Sequence, residues 1–362
     1  VAWQLTRDCD LACLHCCTEA APGKALPNEL SREEALRVAG DILACRVPYV
    51  MLCGGEPTLA PHFFEVAETL GRGGVQLKIE TNGQRFGPAQ ARRLSRLPMR
   101  SVQVSLDGAT QAVYSGMRPG ASLNAALQAC RAVREAGLPL EVTFAPTRLN
   151  IEQAERVLDL ALELGAFRFN SGRLMRVGTA ARLWDRLAPS ASEYAAFFSL
   201  LEAREWELGG RMELCFKPSS LEEALREAAA QPPAALLVLP NGKVKASAAL
   251  PFLCGDLRTM SLKEAWGAYQ AAWKDERVLS AASALLEDPS RTALSNRWID
   301  LTAPQGVPSP ERGSPPLAKG ALPMGASSPE RGSPPLAKGA AASMGRQARP
   351  PAGSRAAVKE TR

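Results

Sequence analysis

Three cysteines within eight residues, Cys9, Cys13 and Cys16, have the spacing C-x3-C-x2-C. Thiolates this close in sequence are metal ligands, and an iron–sulfur cubane normally takes four of them. Three would leave one iron open, and an open coordination position lets a substrate or cofactor bind the metal directly. A zinc site would need a fourth ligand at zinc-type spacing. His15 and Cys17 lie inside the same loop, where crowding makes them awkward partners, and Cys17 reads as a small buried side chain. The triad points to metal and leaves the choice of metal open. Nine cysteines, an odd number gathered toward one end, exclude a secreted disulfide framework and indicate a reducing compartment.

Other groups follow at intervals. In Cys53-Gly54-Gly55-Glu56-Pro57 the glycines would let backbone approach a ligand, and Glu56 would offer an acceptor to a cation. Glu80-Thr81-Asn82-Gly83 reads equally as a turn. Ser105-Leu106-Asp107-Gly108 is followed by Arg118, whose fork suits a carboxylate. Asp107 taken alone reads as a turn or helix cap. Asn170-Ser171-Gly172-Arg173 is either a ligand contact or a plain loop.

These groups sit where strands should end. Short β-rich runs cover Val1–Thr6, Tyr49–Cys53, Val75–Glu80, Ser101–Leu106, Leu140–Phe144 and Ala166–Asn170. Helix-like segments fall near 31–45, 62–72, 88–96, 122–136 and 151–164. Ser31 with Glu34 is a capping-box signature, and Asn150-Ile151-Glu152-Gln153 opens a helix in similar style. Strands alternating with helices imply an α/β fold with a parallel sheet, and residues 1–173 hold six such units, fewer than a complete eight-unit barrel. In that architecture chemistry sits at the carboxyl ends of the strands.

Residues 174–302 read as a small α+β extension: a helix from Ser190 to Glu207, a strand over Met212–Phe216, a hairpin turning at Asn241-Gly242 with a type I′ signal, and a helix from Ser261. Residues 303–362 hold eleven Pro, eight Gly, no aromatic residue and a repeat, SPERGSPPLAKGA, at Ser309–Ala321 and Ser328–Ala340; they read as a disordered tail. That tail carries nine basic and three acidic residues, so the chain's net charge of +6 belongs to it and residues 1–302 are neutral. A nucleic-acid groove is therefore disfavoured. No apolar stretch of membrane-spanning length and no secretory signal occurs, so a cytoplasmic protein without a membrane role is expected.

The motifs taken together resemble the radical S-adenosylmethionine (SAM) superfamily over roughly the first half of the chain. Cys9, Cys13 and Cys16 match its cluster motif, with His15 at a position that is commonly aromatic. The resemblance implies a partial (β/α)6 TIM-like barrel and a [4Fe–4S] cluster whose open iron is chelated by SAM. Reductive cleavage would give methionine and a 5′-deoxyadenosyl radical, with a low-potential donor such as flavodoxin or ferredoxin as electron source. By the same resemblance Gly54, Gly55, Glu56 and Pro57 would bind the methionine amino group. Thr81 and Asn82 would lie beside SAM, and Ser105, Asp107 and Arg118 would serve its carboxylate and ribose.

The extension is similar to SPASM or twitch regions, which commonly hold auxiliary clusters, but it departs from them. Ala246 or Ser247 stands where a cysteine is typical, and only Cys215 and Cys254 remain after residue 173. A single cluster is expected. Cys254, in a segment that could fold over the barrel mouth, is a possible hydrogen-atom donor, although a small buried hydrophobe is the plainer reading. Cys45, Cys53 and Cys130 are expected in the core, the tryptophans of the second half as packing, and the basic residues of 91–100 on a solvated helix face. The function implied is modification of a peptide or a peptide-derived cofactor precursor. Alternatives are a tetrapyrrole maturase, a carbohydrate epimerase or, in a different class, a non-catalytic iron–sulfur carrier.

Overall fold

In the computed structural model the described residues are 1–302, and the expected disordered tail lies outside them. Strands and helices alternate from the start: β1 (Ala2–Gln4), α1 (Arg32–Ala44), β2 (Tyr49–Cys53), α2 (Phe63–Arg72), β3 (Gln76–Thr81), α3 (Pro88–Leu94), β4 (Met99–Ser105), α4 (Gln111–Met117), α5 (Leu123–Glu135), β5 (Leu140–Thr143), α6 (Ala154–Glu163) and β6 (Arg168–Gly172). Each strand pairs parallel with the next, as helical crossovers require. Leu77, Ile79, Val102, Val104, Val142 and Phe169 are buried in the apolar core. The residues between them, including Lys78, Glu80, Gln103, Glu141 and Asn170, project to the opposite face, as strand geometry dictates.

The parallel run does not stop at residue 173. After α7 (Thr179–Arg182), α8 (Trp184–Leu187) and α9 (Ala191–Leu208), β7 (Glu213–Lys217) pairs parallel with β6, so the strand expected in the extension prolongs the barrel sheet. Beyond α10 (Leu221–Ala230), β8 (Leu237–Val238) pairs parallel with β1, and β9 (Lys243–Lys245) and β10 (Phe252–Asp256) continue antiparallel. Helices α11 (Leu262–Ala272) and α12 (Glu276–Glu287) and strand β11 (Ile299–Asp300) complete one eleven-stranded sheet, ordered β11-β10-β9-β8-β1 and then β2 through β7.

Local chemistry explains several boundaries. Ser31 and Glu34 form the expected capping box, and Glu34 also accepts from Arg258 Nε at 2.9 Å, tying α1 to the C-terminal part. Asn150 does not cap a helix. Its Nδ2 donates to Asp107 O at 3.0 Å and Ala145 O at 3.1 Å, so it braces the loop after β4. The β8–β9 hairpin is not type I′. Gly242, at φ +79°, is its left-handed residue, Leu239 O accepts from Gly242 N, and Pro240-Asn241-Gly242 make a three-residue loop. Trp206 is 90 % exposed and Cys45, at the end of α1, is exposed, against the expectation that both pack; Cys130 is buried. No helix among the described residues is long and apolar enough to cross a membrane.

Candidate active site

The carboxyl ends of β1–β7 surround one cavity of about 530 Å³. Cys9, Cys13 and Cys16, on the loop leaving β1, line it together with Gly54, Gly55, Thr81, Asn82, Ser105, Asp107 and Arg118. Asn170, Ser171 and Arg173 also line it, so the ambiguous end of β6 faces the cavity. Cys17 and Cys53, expected as core, are half-buried and open onto the same space.

The loop after β1 is fastened from several sides. Gly55 N donates to Thr6 O at 2.8 Å and Glu56 N to Asp8 O at 2.9 Å. A Cβ on Gly54 would lie 2.4 Å from Thr6 O, and one on Gly55 would lie 2.0 Å from Asp8 O. The two glycines therefore allow the close approach of the β2 end to the cysteine loop, at the wall of the cavity. On the far side, Thr179 N donates to Cys16 O at 2.8 Å and Asn296 Nδ2 to Cys17 O at 3.0 Å.

Glu56 does not line the cavity. Its Oε1 accepts from Thr58 Oγ1 at 2.6 Å and Thr81 Oγ1 at 2.9 Å, and its Oε2 from Asn82 N at 2.8 Å. Burial pushes this carboxyl up, against the pull of those donors. The carboxylate expected to meet a ligand cation instead fixes the end of β3, and with it Asn82, whose Nδ2 lies 3.6 Å from Cys9 Sγ. Pro57 opens the following 3₁₀ turn, away from the cavity lining.

Asp107 is the centre of a buried charge cluster rather than a cap. Its Oδ2 accepts from Arg118 Nε at 2.7 Å and lies 3.1 Å from His15 Nε2, and its Oδ1 accepts from Ala145 N at 2.8 Å. Burial alone would push the Asp107 carboxyl up; Arg118 and His15 outweigh it and hold it far below the usual range. Arg118 Nη1 reaches Cys13 Sγ at 3.6 Å. In the protein as described, burial pushes the Cys9 thiol up to about 12 and the Cys13 thiol up to about 11, with Arg118 opposing the rise at Cys13.

Cys254 is not at the mouth. The segment expected as a loop is strand β10, where Cys254 is buried and its Sγ donates to Val244 O at 3.4 Å. Cys215 is exposed on β7.

The donor set suits a cubane. Three thiols open into one cavity, with Asn82 and Arg118 placed to donate to the sulfurs of Cys9 and Cys13. Among the described residues, no three His, Cys, Asp or Glu side chains converge closely enough to hold a single ion. The cavity left beside the thiols has polar groups for SAM, with Ser105 and Thr81 on its wall.

Glu80, Gln103 and Lys217 also line the cavity, with Lys78 and Glu141 beneath it, and no motif in the sequence marks any of the five as functional. Their signal was present as polar–apolar alternation in QLKIET, SVQVS and LEVT.

Comparison with known proteins agrees with this geometry. The radical SAM superfamily profile matches residues 3–161. Mycofactocin maturase MftC of Mycobacterium ulcerans is 34 % identical over 205 residues, 56 % of this chain and 55 % of that protein. The AdoMet-dependent heme synthase of Methanosarcina barkeri is 26 % identical over 287 residues, 74 % of this chain and 81 % of that protein. This chain spans about half the length of the mycofactocin maturases it matches. Among solved structures, Streptococcus suis SuiB bound to S-adenosylmethionine superposes with a TM-score of 0.60 at 16 % identity, covering 78 % of this chain and 67 % of SuiB. Native anSMEcpe with bound AdoMet and Kp18Cys peptide gives 0.57 at 14 % identity, covering 84 % and 91 %. The strand ends that carry the cysteine triad and its supports thus lie within the region, residues 3–161, that matches the radical SAM superfamily.

Proposed function

We propose that this chain is a radical SAM enzyme that modifies a peptide or a peptide-derived cofactor precursor. The observation that carries the reading is the opening of Cys9, Cys13 and Cys16 into one cavity, with Arg118 and Asn82 set against two of the sulfurs. A [4Fe–4S] cluster with SAM bound there would supply reductive cleavage and hydrogen-atom abstraction. The chain's own part is positioning. Asp107 and His15 hold Arg118 toward Cys13, while Glu56 holds the Thr81-Asn82 turn toward Cys9.

A relative named PqqA peptide cyclase, from Ruegeria pomeroyi, supports the peptide-linked substrate class, and the SuiB and anSMEcpe likenesses support the fold. A second reading, chemistry on a tetrapyrrole, is favoured by the longer alignment with the heme synthase of M. barkeri. We further propose residues 174–302 as a SPASM- or twitch-like extension without its own cluster, and a low-potential flavodoxin or ferredoxin as electron donor. The nine cysteines are all free thiols, which supports a reducing, cytoplasmic setting. The test is anaerobic reconstitution followed by dithionite and SAM. Formation of 5′-deoxyadenosine with about four irons per chain is expected; background levels would favour a non-catalytic carrier.

A further inference from the structure

Below the cysteine loop, strands β3–β6 build a polar floor whose hydrogen bonds are strongly biased. Lys78 Nζ donates to Gln103 Oε1 at 2.8 Å and to Glu141 Oε2 at 2.7 Å. Asn170 Nδ2 donates to the same two oxygens, at 3.1 Å and 2.7 Å, which commits both of its amide hydrogens. Gln103 Nε2 donates to Glu80 Oε1 at 3.2 Å. The orientation of both amides follows from Lys78, because Gln103 must present its oxygen to the ammonium. Two acceptors then remain without a donor among the described residues, Glu80 Oε2 and Asn170 Oδ1, on two residues that line the cavity.

The other carboxylate on the cavity wall, Asp107, is saturated by Arg118, His15 and Ala145 N, and Glu56 is turned away. Glu80 is thus the acidic lining group with an oxygen to give. Burial pushes its carboxyl up and Lys78, 3.9 Å away, pulls only partly against that. The Glu80 side chain is one-third exposed, so its remaining oxygen is open to a cation that enters the cavity. The rim is of opposite sign: Lys217 and Arg173 line it, with the Arg173 guanidinium 4.6 Å from the Tyr194 ring. A cationic group gains nothing at that entrance and is drawn to the floor.

We propose that Glu80, with Asn170 beside it, anchors a protonated amine or guanidine of the substrate, such as a basic side chain or amino terminus of a peptide. This rests on the reading of the cavity as the place where substrate is held, and it narrows the substrate class.

The test uses reconstituted enzyme saturated with SAM, without reductant, titrated calorimetrically with n-butylammonium chloride and separately with n-butanol. The amine is expected to bind at least about tenfold more tightly than the alcohol, the difference one charge-assisted hydrogen bond makes. Glu80→Gln should remove that preference while the alcohol titration stays as in the parent. Three outcomes overturn the proposal: no measurable amine binding, equal preference in the variant, or amine binding seen without SAM and abolished by it, which would assign Glu80 to the SAM site. The comparison of amine with alcohol on the unmodified chain decides the matter even if the variant fails to fold. Failure to form 5′-deoxyadenosine under dithionite would remove the radical reading separately, since the titration needs no turnover.

Discussion

Asp107 holds Arg118 by two of its guanidinium nitrogens, Nε at 2.7 Å and Nη2 at 2.6 Å, and leaves Nη1 to reach Cys13 Sγ at 3.6 Å. The carboxylate thus aims the arginine at the cysteine, while its own charge pushes the Cys13 thiol up and the arginine opposes that. Breaking a buried pair strands the surviving charge, at a cost of about 3–5 kcal/mol. Asp107→Asn is expected to lose stability of that order in anaerobic urea unfolding and to form 5′-deoxyadenosine more slowly. Arg118→Lys keeps the charge but not the fork, so it should lower the rate as well. Parent-like rates in both would show that the clamp does not serve the cluster.

Gly55 gives a sharper test of the loop. A methyl group there would meet Asp8 O at 2.0 Å, a backbone atom that moves only if the cysteine loop moves. Gly55→Ala is expected to reduce iron retention well below the parent value. Gly40, in α1, has nothing within 4 Å of its position for a Cβ, so Gly40→Ala should instead stabilise by about 0.5–1 kcal/mol with iron retained. Iron quantification and urea unfolding on the two variants check both outcomes.

The parallel alternation was legible because its signals are local. Tyr49–Cys53 ends where its β-rich run ends, and Ser31 with Glu34 announces α1. The cavity-lining cysteines were legible because their spacing alone brings three thiols onto one loop. What escaped was set by tertiary partners. Asn150 looks like a cap but bonds to Asp107 O, and Glu56 looks like a ligand-facing acceptor but is consumed by Thr58, Thr81 and Asn82. Sequence says which residues carry hydrogen-bonding groups; which ones are already satisfied is decided only when strands 23 or more residues apart come together. The polar floor was legible in principle, as alternation within β3–β5, but buried charge is unusual enough that its function emerges only with the cavity above it.

Cys254 and Cys215 lie far apart in the strand order, on β10 and β7, one buried and one exposed. Neither lines the cavity. The Cys215→Ala, Cys254→Ala double variant is therefore expected to keep the parent's iron content, about four per chain, and its yield of 5′-deoxyadenosine. Loss of iron in this variant would show that the extension takes part in holding a cluster.

Lys245 supplies a pH test of the fold. It is buried, its Nζ donates to Ala248 O at 3.0 Å and Asn296 Oδ1 at 3.5 Å, and burial pulls its amine from 10.5 down to about 7. Between those values the unfolded chain holds a proton that the folded chain has released. Stability must then rise with pH across that window, by about 1.36 kcal/mol per unit for one group. Below about pH 7 the ammonium is charged in the fold and its desolvation opposes folding. Lys245→Met removes the titration, so the parent should gain on the variant by on the order of 1 kcal/mol per pH unit between pH 7.5 and 9.5. Urea unfolding of both chains over that range measures the difference. Parallel stability curves would place the ammonium in contact with solvent, whereas converging curves fix it as a lysine that folds neutral beside the cysteine loop.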